Sequence, residues 1–249
     1  MIKEIIKVNN LIVQYDDFVL FDNLSFDVNK KDIFIIMGAS GCGISSLLKV
    51  LTGLVKPSKG EVFIDDKDFL RADVLNKKEI MKNFGVLYQS GALFSSMSLK
   101  ENVMMPLELY SSYSPKEISE LASYKLSLVG LGGFEDFYPS EISGGMKKRA
   151  SLARAIALDP KIVYCDEPSA GLDPISSKQL DDLILELNQK LNMTFVVVTH
   201  ELASIFSIGN NSIFLDRDAK NIIGRGNPRE LLRNPPNEKI KDFLTRGAK

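Results

Sequence analysis

Short apolar runs, each ending in glycine, an acid or a polar residue, alternate along this chain with longer stretches in which apolar residues recur at helical spacing. The runs at 33–37, 84–88, 162–165, 195–198 and 212–215 are rich in β-branched and aromatic residues and lack regular polar alternation. They predict strands covered on both faces, as in a parallel sheet. Leu47, Leu48 and Leu51 predict a helix after the first run, and 175–191 predicts another. Between them, 99–158 is dominated by helical patterning, including Ser114-Pro115-Lys116-Glu117, where an N-cap serine precedes proline at the first helical position. A short helix is expected between the last two strands. The opening to about residue 28 reads instead as strands with a turn at Asp16-Asp17, and Pro57-Ser58-Lys59-Gly60 is a turn before a strand at 61–64. From Pro228 onward come turn prolines and charged helical segments, without repeats or a low-complexity linker.

Composition narrows the classes. A chain of 249 residues buries a sizeable core and suits one large α/β domain or two small ones. The formal net charge of -1 offers no basic footprint for nucleic acid. The apolar runs are far shorter than the roughly 20 residues that span a bilayer, and no basic start leads into an apolar segment, so a cytoplasmic chain is expected. Cys42 and Cys165 form no close metal-like pair and fit a reducing compartment.

The chemistry is concentrated in two segments. At 141–168, Ser143 reads as an N-cap, and Gly144 and Gly145 let backbone N–H groups approach an anion at the positive end of a helix expected over 146–158. The apolar strand that follows delivers Asp166 and Glu167 at its carboxyl end. Upstream, Gly38-Ala39-Ser40-Gly41-Cys42-Gly43 joins an apolar strand to a helical run, followed by Ile44, Ser45 and Ser46. This is the phosphate-loop pattern G-x-x-x-x-G-K-[ST], in which backbone amides wrap phosphates, a lysine reaches the β/γ-phosphates and a hydroxyl serves Mg²⁺. Here the lysine position holds Ile44. A charge-assisted hydrogen bond contributes roughly 1.5–3 kcal/mol, so losing one or two weakens nucleotide binding about ten- to a hundredfold or more. Lys49, on the same helix, is too far along to take over that role.

The chain resembles the nucleotide-binding subunit of an ATP-binding cassette (ABC) transporter over nearly its whole length, with the motifs in that family's order. The resemblance implies a P-loop α/β fold: a RecA-like parallel-sheet core, an N-terminal antiparallel β region and an inserted helical subdomain. One ABC domain over 1–249 is expected, with 1–88 and 159–249 forming the core and β region and 89–158 the helical subdomain. It further implies ATP and Mg²⁺ as ligands. Gly38, Ser40, Gly41, Cys42, Gly43, Ile44, Ser45 and Ser46 would bind nucleotide. Ser45, Gln89 and Asp166 would hold Mg²⁺, with Gln89 also on the attacking water. Glu167 would be the general base and His200, the only histidine, the switch residue on the γ-phosphate. Ser143, Gly144, Gly145 and Met146 would form the signature that closes over ATP held by a partner chain, and Asp173 the loop aspartate at the dimer contact.

Some assignments have a plainer alternative. Tyr15 sits where the family stacks a ring on adenine, yet isolated tyrosines also cover core edges. Cys42 lies before a helix whose dipole favours thiolate, which predicts alkylation slowed by ATP. The apolar residues Leu93, Phe94 and Met97 suit contact with a coupling helix of the permease, though such stripes also serve as core.

Ser90-Gly91-Ala92-Leu93-Phe94, Leu99-Lys100-Glu101-Asn102-Val103, Met105-Pro106-Leu107 and the Ser-Gly-Gly-Met signature resemble the ATPases of Mla-type systems, which move phospholipids between bacterial membranes. That implies a homodimer on the cytoplasmic face of the inner membrane, bound to an integral permease, with lipid-binding and accessory subunits and a role in outer-membrane lipid asymmetry. Two classes of function stand: a transport ATPase impaired at Ile44, for phospholipid or another small solute, and a non-hydrolysing nucleotide-binding module that regulates or scaffolds a membrane complex.

Overall fold

The computed structural model describes residues 3–246. The chain opens with β1 (Glu4–Tyr15), β2 (Phe18–Asn29) and β3 (Ile33–Gly38), then α1 (Ile44–Leu51), β4 (Lys59–Ile64), β5 (Lys67–Asp68), α2 (Val74–Met81) and β6 (Phe84–Leu87). Helices α3 (Leu99–Tyr110) and α4 (Pro115–Leu128) and a 3-10 turn at Pro139–Glu141 lead to α5 (Gly144–Ala155). The remainder is β7 (Ile162–Asp166), α6 (Pro174–Leu191), β8 (Thr194–Val198), α7 (Leu202–Ile208), β9 (Asn211–Asp216), β10 (Asn221–Arg225), α8 (Pro228–Arg233) and α9 (Glu238–Thr245).

Two sheets result. The first is antiparallel, in the order β2-β1-β4-β5; the second runs β10-β9-β3-β8-β7-β6 and is parallel except for the β10 hairpin at its edge. Side chains on the second sheet alternate between two apolar clusters. Ile35, Met37, Val163, Cys165, Phe195 and Val197 meet α3–α7, where Val103, Leu126, Leu152, Leu180 and Ile205 lie. Phe34, Ile36, Tyr164, Val196 and Val198 face the other way, toward Leu47 on α1 and Ile6, Leu24 and Phe69 of the antiparallel region. With both faces covered, the strands have no polar alternation to show. Each fully buried Ile, Val, Leu or Phe in these layers contributes about 1.5–3 kcal/mol of transfer free energy.

Helix starts follow local chemistry. At α3 the Ser98 hydroxyl accepts from the Glu101 N–H and the Glu101 carboxylate accepts from the Ser98 N–H; Ser114 and Glu117 repeat this reciprocal cap at α4. Helix α5 begins at Gly144, earlier than its apolar pattern indicates, because Ser143 caps it by accepting from the Met146 N–H; it ends at Ala155. Elements α2 and β10 carry no legible sequence pattern. In α2 only Ile80 is buried while Val74 and Leu75 face solvent, so the helix lacks an apolar stripe and is marked only by its Asp73 cap.

Gly85 on β6 is packed so closely on α5 that a Cβ there would overlap the carbonyl of Ala155. Since backbone cannot rotate aside, Gly85→Ala is expected to destabilise the protein by about 2 kcal/mol or more, read as a lower urea midpoint at unchanged slope. A midpoint equal to the parent's would show that α5 is free to shift.

Candidate functional site

Because β6, β7, β8 and β3 are parallel, their carboxyl ends lie at one edge of the sheet, where ligands of open α/β folds bind. Gln89 follows β6, Asp166 ends β7 and Glu167 follows it, His200 follows β8, and the phosphate loop follows β3. The pairing register sets Asp166 opposite Val198 and Val198 opposite Ile36. Residues far apart in sequence are thus delivered to one rim by the strand order alone.

The rim holds a cleft of about 940 Å³ lined by Tyr15, Gly38, Ser40, Gly41, Cys42, Gly43, Ile44, Ser45, Ser46, Glu167 and His200, together with Phe243 on α9 and Arg246 just beyond it. Gly38 must be glycine, since a Cβ there would lie 2.5 Å from the Cys42 sulfur and 2.5 Å from the Leu215 carbonyl oxygen. Gly43 adopts φ 91° beneath Leu20 and Phe21 and starts α1 without a side-chain cap. With no side chain capping that turn, the Ser45 N–H is left for an anion, while the Ser46 N–H donates to the Gly43 carbonyl at 2.9 Å. Ile44 is partly buried and packs against the apolar cluster that includes Leu47. Lys49 is exposed and is not among the residues lining the cleft.

The structure corrects one expectation. Cys42 is buried, and desolvation pushes its thiol up to about 11, outweighing the backbone N–H groups that pull the other way. Its sulfur packs toward Gly38 and is no activated thiolate.

Glu167 adopts a left-handed backbone, φ 45°, fixed by its N–H to the Val198 carbonyl at 2.9 Å and by the Ala170 N–H to its own carbonyl at 3.1 Å. Its side chain, 17% exposed, lies 2.6 Å from Nδ1 of His200, which is 67% exposed. Asp166, half-buried beside it, has its carboxyl pushed up by desolvation and by Glu167, while Lys148 and Lys49 draw it down.

Gln89 does not line the cleft. It sits in a tight turn, where the Gly91 N–H donates to the Tyr88 carbonyl at 2.8 Å, and this turn is clasped by α5. Lys148 Nζ donates to the Gln89 carbonyl at 2.5 Å, and Arg154 donates to the carbonyls of Ala92 at 2.7 Å and Gly91 at 3.0 Å. Sequence reasoning missed both. The segment carries Lys147, Lys148, Arg149 and Arg154 within one helix, and which of them turn inward depends on packing.

The signature residues Ser143, Gly144, Gly145 and Met146 also lie outside the cleft lining. A Cβ on Gly145 would meet Ser176 at 3.2 Å, so the start of α5 packs beside the start of α6. Asp173 caps α6, accepting from the N–H groups of Ile175 and Ser176 at 3.0 Å each. Tyr15, 43% exposed, stands at the end of β1 on the cleft wall. Of Leu93, Phe94 and Met97, only Phe94 lines a second groove of about 870 Å³, with Tyr88, Met105, Tyr110 and Arg154; Leu93 packs against the core.

A thiol with its pKa raised to about 11 is ionised to about one part in a thousand at pH 8. Iodoacetamide should therefore label Cys42 in the folded protein at least about tenfold more slowly than in urea, at the same rate with and without ATP. Rapid, ATP-sensitive labelling would contradict this burial.

The profile of the family described as ABC transporter matches residues 21–170. The chain is 38% identical over 239 residues to the probable ribonucleotide transport ATP-binding protein mkl of Mycobacterium tuberculosis, a match covering 96% of this chain and 66% of that protein. The chain thus spans just under two thirds of that relative's length. It is 40% identical over 234 residues to the intermembrane phospholipid transport system ATP-binding protein MlaF of Haemophilus influenzae, covering 94% of this chain and 88% of that one. The dimeric, post-hydrolysis structure of the ATP-binding cassette MJ0796 bound to ADP and Pi is similar with a TM-score of 0.79 at 28% identity, covering 89% of this chain and 98% of that one. Sheet order, phosphate-loop geometry and these likenesses converge, and the chain belongs to the ATP-binding proteins of the ABC transporter family.

Proposed function

We propose that this chain is the ATP-hydrolysing subunit of a transporter that moves phospholipid between membranes, with turnover impaired by Ile44. The observation that carries the ATPase reading is the Glu167–His200 pair, 2.6 Å apart and lining the same cleft as the phosphate loop. A chain with no turnover to perform has no chemical need to hold a carboxylate in a left-handed backbone against its only histidine. The lipid reading rests on the extent of similarity to MlaF.

ATP with Mg²⁺ is the ligand of this family. Ser45, Gln89 and Asp166 offer a hydroxyl, an amide and a carboxylate, oxygen donors that suit Mg²⁺ retaining waters and phosphate oxygens. The amides around Gly41 and Gly43 would cradle the phosphates, and Tyr15 would stack on the base. Glu167 would accept a proton from the attacking water, and His200 would donate toward the charge developing on the γ-phosphate.

ABC ATPases work as dimers with membrane permease subunits. One phosphate loop and one signature per chain, with the signature outside the cleft, support a homodimer in which Ser143, Gly144, Gly145 and Met146 close on ATP held by the partner and Asp173 lies at the contact. Among the described residues no helix is long and apolar enough to cross a membrane. By its similarity to MlaF, the chain would sit on the cytoplasmic face of the inner membrane through a permease received in the groove of Phe94, with lipid-binding and accessory subunits beyond it.

Two further readings have their own support. Ile44 packs against the apolar cluster, which favours a nucleotide-binding module without turnover. The similarity to mkl favours transport of another small solute.

Ile44→Lys, compared with the parent in the presence of permease and lipid, should raise ATP hydrolysis at least about tenfold and tighten ATP binding about ten- to a hundredfold. Tighter binding with no turnover would transfer the chain to the scaffold reading. Phe94→Asp should release the permease in co-purification while shifting the melting temperature by no more than about 2 °C, since the ring is 45% exposed. Retained permease would remove this groove as the docking site.

A further inference from the structure

We propose that Lys148 is a positioning residue for hydrolysis, its ammonium tying the main chain of Gln89 to that of Glu167. The inference rests on the ATPase reading above, in which Gln89 and Glu167 both address the attacking water.

Lys148 lies on α5, five residues beyond Ser143, and is only 6% exposed. Its Nζ donates to the Gln89 carbonyl at 2.5 Å and to the Glu167 carbonyl at 3.2 Å. Among the described residues no carboxylate accepts from it. The contrast with Lys125, the other deeply buried lysine among the described residues, is informative: that one pairs with the Asp159 carboxylate. An ammonium buried on neutral carbonyls is costly, and an apolar side chain of similar length would fill the same space without stranding a charge. What the cation supplies and methionine does not is a pair of directional bonds to two loops that share no hydrogen bond of their own among those described.

The Glu167 end of this tie matters because its backbone is left-handed, a conformation strained for a non-glycine residue. Three bonds hold it there: its N–H on Val198, and its carbonyl accepting from the Ala170 N–H and from Lys148. Relaxation of φ would swing the carboxylate away from His200. The Gln89 end matters because that turn is otherwise gripped only further along, by Arg154 at Gly91 and Ala92. Since Lys148 stands on the helix that begins with Ser143-Gly144-Gly145, a load on that helix start reaches both loops through one side chain.

The test compares Lys148→Met and Lys148→Arg in the Ile44→Lys protein, as the complete chain with its permease in lipid. Methionine should lower kcat at least about tenfold while KM and ATP affinity stay within about threefold, and arginine should recover at least about half of the rate. Hydrogen–deuterium exchange, which needs no turnover, should quicken about fivefold or more at 88–92 and 166–170 in the methionine variant, with β8 unchanged. If methionine prevents folding, Lys148→Gln replaces it. Parent-like kcat, or exchange unchanged in both segments, would overturn the proposal. So would a loss of rate matched by loss of ATP binding or by general unfolding. Should the Ile44→Lys background itself not hydrolyse ATP, the ATPase reading fails, and unchanged or quickened exchange still decides against or for the tie.

Discussion

The parallel pairing of β6, β7, β8 and β3 is the constraint from which everything at the cleft follows. Strand register is fixed because both faces are buried: a slip of one residue would turn Tyr164 and Val196 into the helical layer and Val163 and Val197 into the other. With register fixed, the carboxyl ends are fixed, and so are the starting points of the phosphate loop, the acid pair, the glutamine turn and the histidine. The chain does not have to fold loops toward one another from separate places. It only has to leave each strand in the correct order.

Much of this was legible in the sequence for a physical reason. Buried parallel strands are unbroken apolar runs, and the residue that ends such a run is the residue that reaches the rim. Asp166 and Glu167 after Cys165, and His200 after Thr199, were visible in that way, as was Ser143 through its capping chemistry. At Cys42 the helix dipole alone points to a thiolate, but desolvation by the Gly38 strand end and the apolar layer dominates there, and burial has no signature in the local sequence. Lys148 and Arg154 were invisible because the chain places four cations on one short helix, and only the packed structure shows which of them face the glutamine turn. Helix α2 was missed because it has no apolar stripe, and β10 because a short edge strand in a hairpin carries little pattern of its own.

Ile44 shows how independent the backbone of a phosphate site is from its side-chain charge. The loop keeps its glycine-dependent turns and its cleft with isoleucine in place, because those depend on Gly38, Gly43 and the layer beneath them rather than on the side chain at the start of α1. The geometry that wraps an anion and the cation that neutralises it are separately encoded. A substitution at one leaves the other standing.

The contact between Gly85 and the Ala155 carbonyl has a mechanical side. Where side chains meet, small displacements are absorbed by rotamer changes; where backbone rests on backbone, there is no such compliance. At this seam the sheet and the end of α5 behave as one stiff piece. Any change in the angle of that helix must be accommodated elsewhere, in the connections at 88–98 and 156–161, whose hydrogen bonds are turns and side-chain clasps rather than ladders. A single missing Cβ thereby decides which parts of the molecule are able to bend.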